Sequence, residues 1–558
     1  MPTVTINLDE LLSMLKKAMS LAELTDVLFI HKCSVEGVEG SNLTIEVTAD
    51  RPDMLSVEGI ARALRLFLGL EEPKKYEATN GDVVINVDPS VLKTRPIILS
   101  AVIKGVSLNE ESVQQLMAFQ EKLHLTYCRK RAKAAIGLHD LDAIGRRIIY
   151  TALPPSDIRF VPLGERKEMS GDEIVRYTEK GREFGFLLEG LDKYPLLLDE
   201  EGRVLSMPPI INCSLTKITP STKNLLVEIT GTNFRTVSQV LNVISLNILE
   251  RGGYLEKVEI IYPDRHISSP ILETQVQYVE VGFIRDSLGL DLTEEEVVSC
   301  LKRMGHIAIA HRGTVEVHPP PYRCDILHPI DIVEDVAIGY GFNKIEPERP
   351  PRVQIGALLD ITKIANAARE LMIGLGFQEV LSYTLTSLEV ISLGASLETK
   401  NVVVLENPIS DEYACLRNWL IPTLLNFISH NRHVPLPQKI FECSDVVCIE
   451  PSSPTSTRVE RRLAAAICNS RVSYEDIQSC LYALLHNLGL SEWLVEPALH
   501  PCFIEGRSAR LKIDGDEVAL LGEVHPKVLD TFKIENPVAC FEVDLSKVLR
   551  KVSSRPYV

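Results

Sequence analysis

Four carboxylates stand close together in the stretch Pro321-Tyr-Arg-Cys-Asp-Ile-Leu-His-Pro-Ile-Asp-Ile-Val-Glu-Asp-Val-Ala. Asp331, Glu334 and Asp335 are spaced i, i+3 and i+4, which on a helix puts them on one face. Asp325 lies just ahead and can fold back towards that face. Like charges at this spacing repel, and a hard cation such as Mg²⁺, bound through carboxylates and waters, would relieve the repulsion. An acidic first turn that complements the helix dipole and faces water explains the same spacing.

A second set of polar residues is scattered more widely. Gln120 sits on the apolar stripe of a helix predicted over 111–125. Arg131 lies in the run Cys128-Arg-Lys-Arg-Ala-Lys133, followed by Ala135-Ile-Gly-Leu-His-Asp140. Ser206 and Asn212 flank two consecutive prolines, which fix the backbone between them. Glu228 and Thr230 alternate along a predicted strand over 225–230, so they point to the same side. Singly, each has an ordinary structural explanation. The sequence alone does not show that these pieces meet.

The elements that must position these groups fall into several units. At roughly 150 residues per domain, 558 residues imply three or four. The expected boundaries are 1–78, 82–268, 270–346 and 352–558. The first has helices over 8–19 and 54–70 around a strand over 43–48. The second opens with strands over 83–87 and 97–103 and has a loop-rich stretch over 154–202. In the third, Thr293 and Glu296 form a capping box for a helix. The fourth has helices over 358–374 and 413–430 among strands over 379–386, 401–405, 439–442, 462–468, 509–513 and 517–524. That pattern predicts an antiparallel sheet with packed helices, so the fold class is multidomain α+β.

Hydrophobic residues make up 45% and charged residues 24%, as in ordinary globular proteins. No apolar run is long enough for a transmembrane helix, and the opening residues do not read as a secretory signal. The twelve cysteines have no framework spacing and no CxxC, so they read as reduced thiols in a cytoplasmic protein. The net charge of -17 argues against a general nucleic-acid-coating surface. The chain lacks GxxxxGK[ST], GxGxxG after a strand, HExxH and GxSxG, which removes P-loop, simple Rossmann, zincin and nucleophile-elbow chemistry.

Several longer stretches carry a resemblance. They are FQEKLH (119–124), CRKRAKAAIGLHDLD (128–142), LSMPPIIN (205–212), TKNLLVEITGT (222–232), DILHPIDIVEDVAIGYGFNKI (325–345) and LIPTLLNFISHNRHVPLPQKIFECSDV (420–446). With the opening MPTV and the helix over 50–64, they resemble the β subunits of phenylalanyl-tRNA synthetase of the archaeal and eukaryotic cytosolic type, over essentially the whole length.

The resemblance implies an N-terminal domain, an editing module, a winged-helix-like domain and a class II synthetase-like domain without catalytic activity. Consistent with that inactivity, Glu505-Gly-Arg507 and Gly522-Glu523 are at best remnants of a class II terminal motif. It implies an (αβ)₂ heterotetramer with an α subunit that consumes ATP and phenylalanine to charge tRNA(Phe). It assigns Mg²⁺ to Asp325, Asp331, Glu334 and Asp335, shared with the α subunit. It makes Glu228 the candidate for a tyrosyl hydroxyl in an editing hydrolase, with Ser206, Asn212 and Thr230 orienting ester and water. Gln120 and Arg131 would hold the terminal adenosine or a nearby phosphate of the tRNA. Family members often carry an acid near position 233, where this chain has Asn233. Editing has a physical motive, because a pocket for phenylalanine cannot strongly reject an isostere that only adds a hydroxyl. The alternatives are an architectural subunit with a silent pocket and a nucleic-acid-binding protein. The second is disfavoured by the acidic charge, since phosphate contacts need Lys and Arg.

Overall fold

The structure is a computed structural model that describes residues 2–349, 355–393, 399 and 401–553. Met1, the start of the last expected domain (352–354) and residues 394–398, 400 and 554–558 lie outside the described residues. The chain divides into two compact units, Met1–Arg349 and Pro350–Val558.

The first unit is built on a ten-stranded sheet. Its middle holds Thr79–Val87, Tyr254–Ile261, Ile97–Lys104 and Asn224–Gly231. Ile97–Lys104 and Asn224–Gly231 are buried on both faces, while Thr79–Val87 and Tyr254–Ile261 alternate buried and more exposed residues. Ala134–Asp140 closes one end and Ile211–Asn212 the other. The two ends approach each other, because Asn212 Nδ2 donates to the Leu138 carbonyl at 3.2 Å. The helix Glu110–Leu125 has its predicted position, and a second helix, Phe234–Ile248, follows the strand Asn224–Gly231. The N-terminal strand and helices share one continuous hydrophobic core with this sheet, from Val4 through Ile260 to Cys324.

The stretch 154–202, expected to be loop-rich, contains the short helices Gly171–Tyr177 and Glu179–Phe184 around a small core of their own. The expected helix over 8–19 ends at Leu15, and a second helix, Leu21–Ile30, follows a Ser20–Glu23 capping box. The predicted Thr293–Glu296 capping box starts the helix Glu294–Arg303. The helix Pro329–Tyr340, which carries three of the four acids, packs against it in a separate core.

The second unit is a seven-stranded sheet, antiparallel except for one short edge pair. Alternation along its strands sorts the core. Leu463, Ala465 and Ile467 face the helices Asp360–Gly374 and Tyr474–Asn487, while Ala464, Ala466 and Cys468 face Ile421–His430. Residues 413–420, predicted as helix, include a 3₁₀ turn and a short strand before the helix begins at Ile421. The predicted strand over 379–386 is two short strands in different sheets, Gln378–Glu379 and Leu385–Thr386. The α+β, multidomain class is what the structure shows.

Candidate functional site

A cavity of about 570 Å³ opens between the helix Glu110–Leu125, the strand Ala134–Asp140 and the Pro208–Thr216 loop. Gln120, Arg131, Asn212 and Glu228 line it, so four scattered residues from the sequence do meet. Ser206 and Thr230 do not line it, although both are buried close by.

Glu228 is the wall residue of most chemical interest. The residue is 2% exposed. Oε1 accepts from the Ser206 hydroxyl at 3.2 Å, and Oε2 has no partner. Leaving a buried carboxylate oxygen unpaired is costly, and such groups usually mark a functional demand. In the sheet Glu228 is paired with Gly137. A Cβ at position 137 would come within 2.3 Å of Glu228 Oε1, so glycine is required for the carboxylate to stand there.

The other expected residues act through neighbours. Thr230 Oγ1 accepts from Arg95 Nε at 3.0 Å, and Arg95 also donates to the Arg131 carbonyl. Thr230 is therefore a buried support for the turn that carries Arg131, which corrects its placement on the cavity surface. Ser206 sits behind the Glu228 carboxylate. Arg131 donates to the carbonyls of Pro209 and Ile210 at 3.1 and 2.8 Å and to Glu121 at 2.7 Å, and stacks on Phe184. It braces the Pro208–Pro209 loop. Gln120 Nε2 donates to the Ile136 carbonyl.

The turn itself is unusual. Arg129, Lys130 and Arg131 have φ of 49°, 50° and 64°, three successive left-handed residues. Each non-glycine residue there costs about 1–2 kcal/mol, and such strain clusters at functional sites. The turn is held by Lys133 N–H to the Cys128 carbonyl and Arg131 N–H to His124.

Electrostatics around this turn fix protonation states. Burial pushes His124 down to about 4, outweighing the opposing pull of Glu121. Neutral His124 accepts from Ile136 N–H through Nε2 at 2.8 Å. Burial raises Glu121, but the His124 hydrogen bond, Arg131 and Lys180 overcome it and hold Glu121 at about 2. Burial raises the thiols of Cys128, to about 12, and of Cys213 on the cavity wall, so neither is a ready thiolate.

The four acids of the second candidate site do not converge on one point. Asp325 and Asp335 meet on one guanidinium, each 2.7 Å from Arg323. Asp335 is buried and also bonds His306 Nε2 at 2.5 Å. Burial opposes its ionisation, but Arg323 and His306 outweigh it and keep the carboxyl well below the usual range. Asp331 caps its own helix, accepting from the N–H groups of Leu327 and His328. Glu334 is half-exposed and pairs with Lys32 at 3.0 Å. The three helix acids thus leave the helix in different surroundings, with Asp335 directed inward. No group of three or more His, Cys, Asp or Glu among the described residues is placed to hold a metal ion. Within this chain the four acids are compensated by its own cations and N–H groups rather than gathered around one point.

Comparison with known proteins matches three stretches to families. Residues 1–70 match the Phe-tRNA synthetase beta subunit B1 domain, 278–342 the tRNA synthetase B5 domain, and 347–545 the phenylalanyl tRNA synthetase beta chain CLM domain. The phenylalanine–tRNA ligase beta subunit of Pyrococcus furiosus is 39% identical over 558 residues, covering 99% of this chain and 100% of that one. That of Korarchaeum cryptofilum is 41% identical over 553 residues, 98% of each. The chain belongs to the phenylalanine–tRNA ligase β-subunit family. The crystal structure of an N-terminal fragment of the phenylalanyl-tRNA synthetase beta-subunit from Pyrococcus horikoshii superposes with a TM-score of 0.59 at 36% identity, covering 61% of this chain and 99% of that one.

The stretch of this β-subunit family member that matches the CLM domain has its own cavity, of about 640 Å³, lined by Trp419, Arg462, His500 and Glu542 among others. Its charges are all paired. Glu542 accepts from Arg462 at 2.7 Å and from Leu420 N–H at 2.6 Å, and Arg462 also pairs with Glu460.

Sequence reasoning missed Gly137, Glu121, Thr216 and His139. The strand Ala134–Asp140 is buried almost throughout yet carries alanine, glycine and histidine at alternate positions. That small-and-polar face on an apolar strand was the available signal.

Proposed function

We propose that this chain serves as the β subunit of a phenylalanine–tRNA ligase and hydrolyses tyrosyl esters of tRNA(Phe) in the cavity beside Glu228. The observation that carries the reading is the buried Glu228 carboxylate with one unpartnered oxygen on the cavity wall. A ligand hydroxyl would complete it, whereas an apolar ring would leave it unpaired, and this asymmetry gives strong discrimination. The cavity lies in the size range of small-molecule sites. Lys217 is exposed at its rim, where a phosphate of the tRNA end would lie.

Water is the nucleophile in this reading. The wall thiol of Cys213 is kept protonated by burial, and the Thr216 and Ser206 hydroxyls are already bonded to protein groups. Water adds to the ester carbonyl, the bond from carbonyl carbon to ribose oxygen breaks, and the ribose hydroxyl leaves with a proton. The cavity contributes position and exclusion of competing solvent.

Charging with phenylalanine at the expense of ATP belongs, in this proposal, to an α subunit in an (αβ)₂ assembly. The paired charges of the second cavity support a silent synthetase-like unit. No step runs through Mg²⁺, because Asp325, Asp331, Glu334 and Asp335 are engaged within the chain. The proposal places the protein in the cytoplasm; no helix among the described residues is long and apolar enough to cross a membrane.

The test is deacylation of preformed Tyr-tRNA(Phe) and Phe-tRNA(Phe) by the chain co-expressed with its α subunit. Selective loss of the tyrosyl ester is expected, and Glu228→Ala should lower that selectivity by roughly 100-fold or more. Equal rates for both esters, in a complex that still charges tRNA with phenylalanine, would leave the chain an architectural subunit.

A further inference from the structure

The turn that carries Arg131 has an outer side. Arg131 braces the cavity wall, whereas Arg129 and Lys130 beside it are exposed and Lys133 is half-buried. The turn is tied to the start of the helix Phe234–Ile248. Thr232 N–H donates to the Lys133 carbonyl at 3.1 Å, and the Thr232 hydroxyl donates to the Ala132 carbonyl at 3.2 Å. A Cβ on Gly231 would come within 2.3 Å of the Lys133 carbonyl oxygen, so glycine is what lets the two segments meet. The Tyr127 hydroxyl donates to Gln239 Oε1 at 2.7 Å, one turn along the same helix. Arg235 is exposed on the first turn of that helix. Arg129, Lys130, Lys133 and Arg235 are therefore gathered where the strand Ala134–Asp140 begins.

These four cations have no ion pair and no side-chain hydrogen bond among the described residues. The sequence keeps acids away from them. No Asp or Glu lies between Glu121 and Asp140, or between Glu228 and Glu250. Glu121 is committed to Arg131 and Lys180. Asn233 caps the helix through its side chain without adding a negative charge. Unanswered cations repel one another, and a chain of net charge -17 offers a polyanion few other places to approach. Leu125 and Phe234 are exposed on the same two segments. Cations beside an open aromatic ring suit a single-stranded polynucleotide, whose phosphates meet the charges while a base rests on the ring.

We propose that Arg129, Lys130, Lys133 and Arg235 form an RNA-docking surface that grips the sugar–phosphate backbone of the strand whose esterified end enters the cavity. The inference rests on the tyrosyl-ester reading above and deepens it, since it assigns the surface that holds the polyanion against the chain's overall negative charge. Phosphate contacts carry no information about the amino acid, so the surface sets affinity for both esters alike.

The experiment uses the full chain co-expressed with its α subunit, as wild type and with Arg129→Gln, Lys130→Gln and Arg235→Gln combined. Hydrolysis of Tyr-tRNA(Phe) and Phe-tRNA(Phe) is followed over a series of salt concentrations. Each contact to a single-strand phosphate contributes about 0.7 to the slope of log affinity against log salt, so the variant should lose about 2 from that slope. KM for both esters should rise roughly 10-fold or more at ~0.1 M salt, with kcat and the ratio of tyrosyl to phenylalanyl hydrolysis unchanged. A merely loosened fold would lower kcat and leave the slope alone. An unchanged KM and slope, beside a selective wild type, would overturn the docking surface and leave the cavity reading standing. A wild type that hydrolyses both esters equally would defeat the cavity reading, while KM and slope still decide the surface. If neither ester is hydrolysed, the Kd of tRNA(Phe) for the two proteins decides it in the same way. Binding to phosphatidylserine vesicles that the variant loses, with KM for the esters unchanged, would assign the cations to a membrane surface and overturn the proposal. Should the triple variant not fold, Lys130→Glu at an exposed position takes its place, and an unchanged KM and slope there overturns the surface.

Discussion

The cavity beside Glu228 and the cavity on the seven-stranded sheet have similar volumes, about 570 and 640 Å³. Their charged groups are arranged differently. In the second, each charged side chain has a partner: Arg462 with Glu460 and Glu542, Glu517 with Arg510, and Asp544 with Lys547. In the first, one carboxylate oxygen of Glu228 is buried with nothing to bond, whereas the buried unpartnered atom on the second is the neutral amide oxygen of Asn418. Buried polar groups that satisfy one another hold a fold together, whereas an unpaired one on a cavity wall is available to a ligand. Volume alone would have ranked the two sites together.

The comparison breaks if the two buried acids behave alike when neutralised. Glu542→Gln removes the charge that binds Arg462 and the first N–H groups of the helix Ile421–His430. Hydrogen bonds to charged groups are worth roughly 1.5–3 kcal/mol each, so chemical denaturation should show a loss of about 2–3 kcal/mol. Tyrosyl-ester hydrolysis should be untouched. Glu228→Gln removes a buried charge with an unpartnered oxygen, so stability should hold or rise by about 0.5–2 kcal/mol while hydrolysis selectivity collapses, as in the usual exchange of stability for function. A Glu228→Gln variant as destabilised as Glu542→Gln would make Glu228 a structural acid and remove the distinction.

Much of the fold can be read from periodicity, because the helix over 111–125 and the strand over 225–230 bury a face that repeats locally. The site is legible only in part. Glu228 and Asn212 are visible as polar residues in apolar strands. His139 is not, because the residue that fixes its ring, Thr216, lies 77 positions away. Thr230 misled for a related reason: alternation gives the side of the sheet but not that Arg95 already occupies that side. The acids of the helix Pro329–Tyr340 show the limit most clearly. Their i, i+3, i+4 spacing is a property of the helix, but their charge is answered by Arg323, His306 and Lys32 from three other segments. Elements missed in the second unit include Tyr474–Asn487, a helix although Ile477, Leu481, Leu484 and Leu485 keep helical spacing, and Val538–Asp544, a strand buried on both faces.

A second expectation sharpens the contrast through pH. His124 has a folded value of about 4, below its ordinary 6.5. The unfolded chain binds the proton more readily, so stability falls as pH drops from 6.5 towards 4. Two and a half units correspond to roughly 3 kcal/mol at most. Glu121, held at about 2 against 4.5, adds a loss in the same direction below pH 4.5. His31, buried and pushed to about 3, contributes over an overlapping range. The melting temperature should therefore fall between pH 6.5 and 4, and His124→Gln should flatten that slope in part. A slope identical to wild type in the variant would mean that His124 is already charged in the folded protein.

The smallest effect concerns the left-handed turn. Lys130 is exposed and sits at φ 50°, between two other left-handed residues. Glycine adopts this region without the Cβ clash, which relieves about 1–2 kcal/mol. It also adds freedom to the unfolded chain, costing about 0.4–1 kcal/mol. The net expectation for Lys130→Gly is a gain of roughly 0.5–1 kcal/mol in chemical denaturation. Arg131 should keep its bonds to Pro209 and Ile210, because they depend on the turn's shape and not on the Lys130 side chain, so ester selectivity should stay at the wild-type value. Loss of selectivity with gained stability would show that the strain itself, and not only the turn, holds the cavity wall in place.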